Sequence, residues 1–259
     1  MKMDADTLAV CKEAAKKWNV FAQVHPEDHI FRFLYENTSF ATKEQAIHYY
    51  FDDGANSSKQ LLHLVQDICK FGDKPFELLE FASGYGCVTR HLRNLSSIVA
   101  TTACDIHPEA VRFINDELRG DAVLSDRCPE KLHFSKTFDI VFALSFFSHM
   151  PEHSFTRWLK ALFSFVKPGG FLIFTTHGLA SMANFSDMPA FNREGFAFLP
   201  SSEQKDLDVQ EYGQTIVKPH YVLARLFELP AMTLKFFHAG RWWGHQDLYV
   251  VQRQSAPPH

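Results

Sequence analysis

Four residues early in the chain have the types and spacing that hold a nucleotide-like ligand. In "LLEFASGYGCVTRHL", residues 78 to 92, Gly84 and Gly86 lack the side chains that would keep a ligand from the backbone. The helix expected after them offers unpaired N–H groups, and Glu80 stands just before the turn. Asp105 ends the next apolar run about 20 residues later, where a carboxylate can accept hydrogen bonds from two ribose hydroxyls. Glycines and acid together point to a nucleoside-containing cofactor. Two imidazoles follow later strand-like runs, His149 in "SFFSHMPE" and His177 in "GFLIFTTHG". Either has the chemistry of a general base near neutral pH.

Nicotinamide dinucleotides and S-adenosylmethionine are both bound in this way. A dinucleotide turn reads GxGxxG, and Thr89 occupies its third glycine position, which weakens the pyrophosphate reading. The chain has 14 histidines, but "HPEDH" and "HMPEHS" each pair two of them without a third ligand at a recognisable spacing. Pro26 and Pro151 also disfavour a regular helix between the paired rings, so no metal is expected.

The elements that must position these groups alternate. "FELLEFA", "SIVATTACDI", "DAVLSD", "FDIVFALS" and "GFLIFTTH" read as strands separated by crossover segments. Pro108 suits the first turn of one crossover helix. Phe155, Leu159, Leu162, Phe163 and Val166 share a face of another before "KPGG". Such alternation implies a doubly wound, mostly parallel sheet with helices on both faces and ligands at the carboxyl ends of the strands. Residues 1–72 read as a helical cap, including a helix through "TLAVCKEAAKKWNVFAQV", and residues 73–259 as the main domain.

Composition narrows the function classes. The chain of 259 residues is 46% hydrophobic, enough for one large core with an appended lid. Twenty-six basic against thirty acidic residues, with no basic stripe, argue against nucleic acid as a partner. Five scattered cysteines without a CxxC pair fit a reducing, cytoplasmic compartment. Neither a signal peptide nor a membrane span is expected.

The glycine turn resembles the first motif of class I S-adenosylmethionine-dependent methyltransferases, with Ala82 where that family usually has its first glycine. "ACDIHPEAV", "LSDRCPE", "FDIVFALSFFSHMPE" and "LFSFVKPGGFLIFTTHG" resemble the later motifs in order, so the likeness runs over about residues 76–178. "TLKFFHAG" and "HQDLYVVQR" resemble the sixth and seventh strands, the seventh antiparallel. "HYYFDDGANSSKQLLHLV" resembles a Tyr-hydrophobic-x-x-Gly segment that closes over the methionine end of the cofactor in one subset of the family, which brings in Tyr50 and Gly54.

The resemblance implies a seven-stranded sheet and S-adenosylmethionine as cofactor. It places Glu80 near the methionine amino group, Ala82, Gly84 and Gly86 along the backbone path, Asp105 on the ribose and Ile106 on adenine. Asp126 and Arg127 fall beside the adenine amino group, with Ser145 and Phe146 facing the sulfonium and the acceptor. It implies O- or N-methylation of a small molecule. A nicotinamide-dependent oxidoreductase and a catalytically silent cofactor-binding module are the competing readings. Residues 178–232, between strands five and six, form an insertion expected to act as a lid or substrate wall, with Phe185, Phe191, Phe196, Phe198, Tyr212 and Tyr221 available to line a pocket.

Overall fold

A computed structural model describes residues 3–71, 74–95, 98–202, 204 and 206–255. The expected boundary at 72 and 73 lies outside the described residues. In chain order the strands are β1 (Phe76–Phe81), β2 (Val99–Asp105), β3 (Ala122–Leu124), β4 (Phe138–Ala143) and β5 (Val166–His177). They continue with β6 (Phe196–Leu199), β7 (Gln214–Val217), β8 (Met232–Trp242) and β9 (Gln246–Arg253). Among the described residues, seven of them form a sheet in the order β3-β2-β1-β4-β5-β9-β8, flanked by helices, with the last strand antiparallel as expected. The chain divides into two compact units, Met1–Ser125 and Asp126–His259.

In the first unit β1 runs parallel to β2, and β2 to β3. Three helices precede them: α1 (Ala5–Trp18), α2 (His29–Glu36) and α3 (Lys43–Asp67). Each starts at a side chain that accepts from a backbone N–H of the first turn, Asp4, Asp28 and Thr42 respectively. α1 is shorter than its apolar spacing predicts. Asn19 turns left-handed (φ 52) and its N–H bonds the Ala15 and Lys16 carbonyls, so Val20 to Val24 leave the helix. Cys11, Ala15, Phe31, Ile47, Tyr50 and Phe51 make a buried apolar cluster that includes Cys87 from beyond the glycine turn. Burial of such side chains contributes roughly 1.5–3 kcal/mol for each large one. The turn itself leads into a short helix, α4 (Thr89–Leu92), while α5 (Pro108–Asp116) starts on Pro108 as predicted and buries Ala110, Phe113 and Ile114.

In the second unit β4 and β5 are parallel, and β9 runs antiparallel to both β5 and β8. α6 (Glu152–Ser164) buries Phe155, Leu159, Leu162 and Phe163. Val166, expected on that helical face, instead opens β5, because the helix ends two residues earlier and the chain turns extended through the Pro-Gly-Gly segment. The insertion folds as an antiparallel β6–β7 pair followed by α7 (Pro219–Leu226). Its Phe196 and Tyr221 are buried against Phe155, with ring centroids 6.1 and 5.4 Å away, so these two aromatics serve the core. Among the described residues no helix is long and apolar enough to cross a membrane.

Candidate active site

The glycine turn of the first unit has three left-handed residues, Ala82 (φ 58), Gly84 (φ 54) and Gly86 (φ 81). Ala82 keeps the turn in place of a glycine at a cost of about 1–2 kcal/mol. The two glycines do different work. A Cβ on Gly86 would stand 2.6 Å from Leu118 Cδ1, so its absence lets the turn pack on the segment after α5. A Cβ on Gly84 would meet nothing within 4 Å, which leaves open space beside the backbone. Next to it, the Ser83 hydroxyl is buried without a hydrogen-bond partner among the described residues. Open backbone and an orphaned polar atom fit a polar ligand at this turn.

The two carboxylates are both buried. Thr89 donates its hydroxyl proton to Glu80 Oε2 at 2.7 Å. Burial nevertheless pushes the Glu80 carboxyl up to about 8, against the Thr89 hydrogen bond and with help from the Asp105 charge. A cation beside Glu80 would therefore be welcome. Asp105 does not stand in an open cleft. Its Oδ2 accepts from the Gly84 N–H at 2.7 Å, and its Oδ1 from the His107 N–H at 3.0 Å and Nδ1 at 2.8 Å. A carboxylate has about four acceptor positions, so the chain's own donors take three and one is left for a ligand hydroxyl. Ile106 beside it is half-buried.

Tyr50 and Gly54, on α3, lie against this turn without opening onto it. Tyr50 is fully buried and donates to Asp28 Oδ2 at 2.6 Å. The Tyr50 hydroxyl also accepts from Arg90 Nη2 at 3.2 Å. Arg90, itself 1% exposed, donates Nε to the Gly86 carbonyl and Nη1 to the carbonyls of Phe21 and Gln23. One guanidinium thus ties the turn, α3 and the segment after α1 together. At Gly54 a Cβ would fall onto the Cys87 carbonyl, so α3 and the turn meet backbone to backbone. Burial raises the Asp28 carboxyl above its ordinary range, although the hydrogen bonds from Phe31 and Tyr50 and the charge of Arg90 pull the other way.

In the second unit Asp126 accepts from the Cys128 N–H at 2.8 Å, and Arg127 is exposed. Ser145, two residues after β4, has φ 60, and Phe146 packs edge-on against Phe147 and Trp158. His149 is half-buried and gripped by the insertion: Tyr212 stacks on it at 4.5 Å and 9°, and its Nδ1 lies 2.9 Å from the Gly213 carbonyl. The Gly213 N–H in turn donates to the His149 carbonyl at 2.9 Å. A carbonyl only accepts, so a proton sits on Nδ1, and in the neutral ring the lone pair is on Nε2. His177, with its ring 6.1 Å from that of His149, is buried, and burial first, then the charges of His149 and His245, hold its conjugate acid down at about 3. Its basicity is too low for an efficient general base at neutral pH.

Sequence reading missed Arg90, His107 and Gly213, and it named Thr89 and Tyr212 without their contacts to Glu80 and His149. Thr89 and Arg90 stand in a mostly polar helix start, Thr-Arg-His-Leu, and their burial is not marked in the sequence. Tyr212 and Gly213 carry none that locates His149, more than sixty residues earlier.

Residues 79–172 match a family model described as a methyltransferase domain. Malonyl-[acyl-carrier protein] O-methyltransferase of Calditerrivibrio nitroreducens is 26% identical over 180 residues, 69% of this chain and 67% of that protein. An S-adenosylmethionine-dependent methyltransferase from Clostridium acetobutylicum superposes with a TM-score of 0.56 at 13% identity, covering 79% of this chain and 92% of that one. The glycopeptide N-methyltransferase MtfA in complex with S-adenosyl-L-methionine gives 0.55 at 13% identity, over 77% and 94%. At such identities the likeness to these structures is one of fold.

Proposed function

We propose that this chain, a class I S-adenosylmethionine-dependent methyltransferase, methylates a small molecule through an oxygen or nitrogen atom that gives up a proton to His149. The observation that carries this reading is the grip on His149. Nδ1–H is held by Gly213, Tyr212 covers one face of the ring, and Nε2 is the basic atom. The bound cofactor supplies an electrophilic methyl group and departs as the neutral thioether.

The chain's own residues do the rest. Glu80 receives the cationic methionine amino group, and Gly84 and Gly86 give backbone access, with Ala82 shaping the same turn. Asp105, fixed by Gly84 and His107, accepts from one ribose hydroxyl. Ile106, Asp126 and Arg127 serve the adenine, and Ser145 and Phe146 the sulfonium side. Tyr50 and Gly54 act through the turn, which they hold from behind. His149 Nε2 would take the proton from the acceptor's oxygen or nitrogen, whose own lone pair forms the new bond, and alignment of the acceptor would supply most of the remaining acceleration. His177, neutral and buried, walls the acceptor side. An O-methyltransferase and an N-methyltransferase among the similar proteins are in keeping with either nucleophile.

The N-terminal helices serve as a cap on the glycine turn, and residues 178–232 as the acceptor wall. A soluble, cytoplasmic enzyme without nucleic acid as substrate fits the composition. Incubation with methyl-labelled cofactor and fractionated cell extract tests the whole reading. A labelled small molecule is expected. Cofactor binding without any labelled product in extracts of every origin tried would favour the catalytically silent module.

A further inference from the structure

Ser145, two residues after β4, adopts a left-handed conformation that an L-residue keeps only when its surroundings hold it there. Three hydrogen bonds form a closed ring around it. The Ser145 N–H donates to Thr175 Oγ1 at 2.8 Å. The Thr175 hydroxyl donates to Gln246 Oε1 at 2.6 Å. Gln246 Nε2 donates to Ser145 Oγ at 2.8 Å. The direction of the ring is fixed by chemistry: a backbone N–H only donates, so Thr175 must pass its own proton on, and the Gln246 amide is oriented by that proton.

The ring is built from the sheet itself. Thr175 and Gln246 are buried, at 0% and 2% exposure, and Gln246 lies opposite His177 in the antiparallel β5–β9 register. Strand β9, more than a hundred residues beyond β4 in sequence, therefore reaches the turn that follows β4.

We infer that Thr175 and Gln246 are positioning residues, which hold the Ser145 backbone in the left-handed conformation in which it meets the cofactor. The inference rests on the reading of Ser145 as a cofactor contact. It separates two roles for Thr175. If the residue only fills space, Val replaces it well. If its hydroxyl closes the ring, Ser replaces it and Val does not, because Val leaves the Ser145 N–H and Gln246 Oε1 buried without a partner.

The test is calorimetric titration of S-adenosylmethionine into the full chain and its variants, with a melting curve for each. Binding by the unmodified protein is measured first, and its absence would overturn the functional reading as well as this inference. Given that binding, Thr175→Val is expected to weaken affinity roughly tenfold, while Thr175→Ser stays near the original value. Glycine adopts a positive φ unaided, so Ser145→Gly added to Thr175→Val should recover most of the loss. Original affinity in Thr175→Val, or a double variant as weak as the single one, overturns the inference and leaves the functional reading standing. Should Thr175→Val not fold, Gln246→Leu opens the ring at its other side, and the comparison with and without Ser145→Gly is read in the same way.

Discussion

The Tyr212 ring lies over the His149 ring, 4.5 Å between centroids and 9° from parallel, while the next residue, Gly213, holds His149 Nδ1. The insertion therefore carries the groups that orient this imidazole. Tyr212→Ala should reduce turnover roughly tenfold with cofactor affinity unchanged, whereas Tyr212→Phe, which keeps the stacked ring, should stay close to the original rate. His149→Gln should lose about 10² to 10⁴ in turnover together with the matching limb of the pH profile. Steady-state kinetics across pH checks all three. Equal rates in Tyr212→Ala and the original would separate the stack from catalysis.

Asp105 joins the two ends of the cofactor motif, bonding the Gly84 N–H on one side and His107 on the other. Asp105→Asn puts a donor where donors already point. Affinity for S-adenosylmethionine should fall roughly tenfold to a hundredfold, and the melting temperature should fall too, since the carboxylate is buried in the folded turn. Calorimetry and a thermal scan read both. A variant that melts as before yet binds as before would remove Asp105 from the site.

Glu80 makes the stability of the protein depend on pH with a particular sign. Its carboxyl titrates near 8 when folded, against 4.5 as the ordinary value. Between those values the folded chain holds a proton that the unfolded chain has lost, so this group's contribution to stability falls as pH rises through the window and is flat above it. Glu80→Gln keeps the shape and the hydrogen bond from Thr89 but removes the charge. The variant should be more stable than the original at pH 8, by about 1 kcal/mol or more, and no more stable at pH 4. Uptake of a cationic amino group near Glu80 should release a proton at pH 7, seen as buffer-dependent binding heat. Glu80→Gln should lose that release and bind more weakly.

Gly54 lets α3 touch the Cys87 carbonyl. Alanine is the better helix former by roughly 1 kcal/mol, yet Gly54→Ala should destabilise the fold, because overpacking against backbone costs about 1–3 kcal/mol. Denaturant unfolding of the variant gives the sign directly. A stabilised variant would show that α3 can shift without loss.

The strands of the main sheet were legible as apolar-rich runs bounded by turn residues or charge, and Pro108 marked its helix for the same local reason, whereas β6 and β7 of the insertion were not foreseen. The glycine turn and Asp105 were legible because their chemistry is compressed into about 20 residues of sequence. What escaped depends on partners far away in the chain. The end of α1 is set by Asn19 adopting a left-handed turn, which apolar spacing does not encode. Tyr50 has the composition of a cofactor contact, and only Asp28 and Arg90 reveal it as a support buried behind the turn. His149 could be placed from the strand before it, but the choice between it and His177 needed burial, which lowers the basicity of His177.

Arg90 reaches back 69 residues to the Phe21 carbonyl and 67 to that of Gln23. Translation runs from the N-terminus at about 5–20 residues per second, so the segment after α1 leaves the ribosome roughly 3 to 14 seconds before its anchor exists. During that interval the Phe21 and Gln23 carbonyls lack the guanidinium that holds them in the fold, and the cluster of α1 and α3 lacks Cys87. Closure of this unit is thus a late, non-local event in biosynthesis, exposed for its duration to chaperones and proteases.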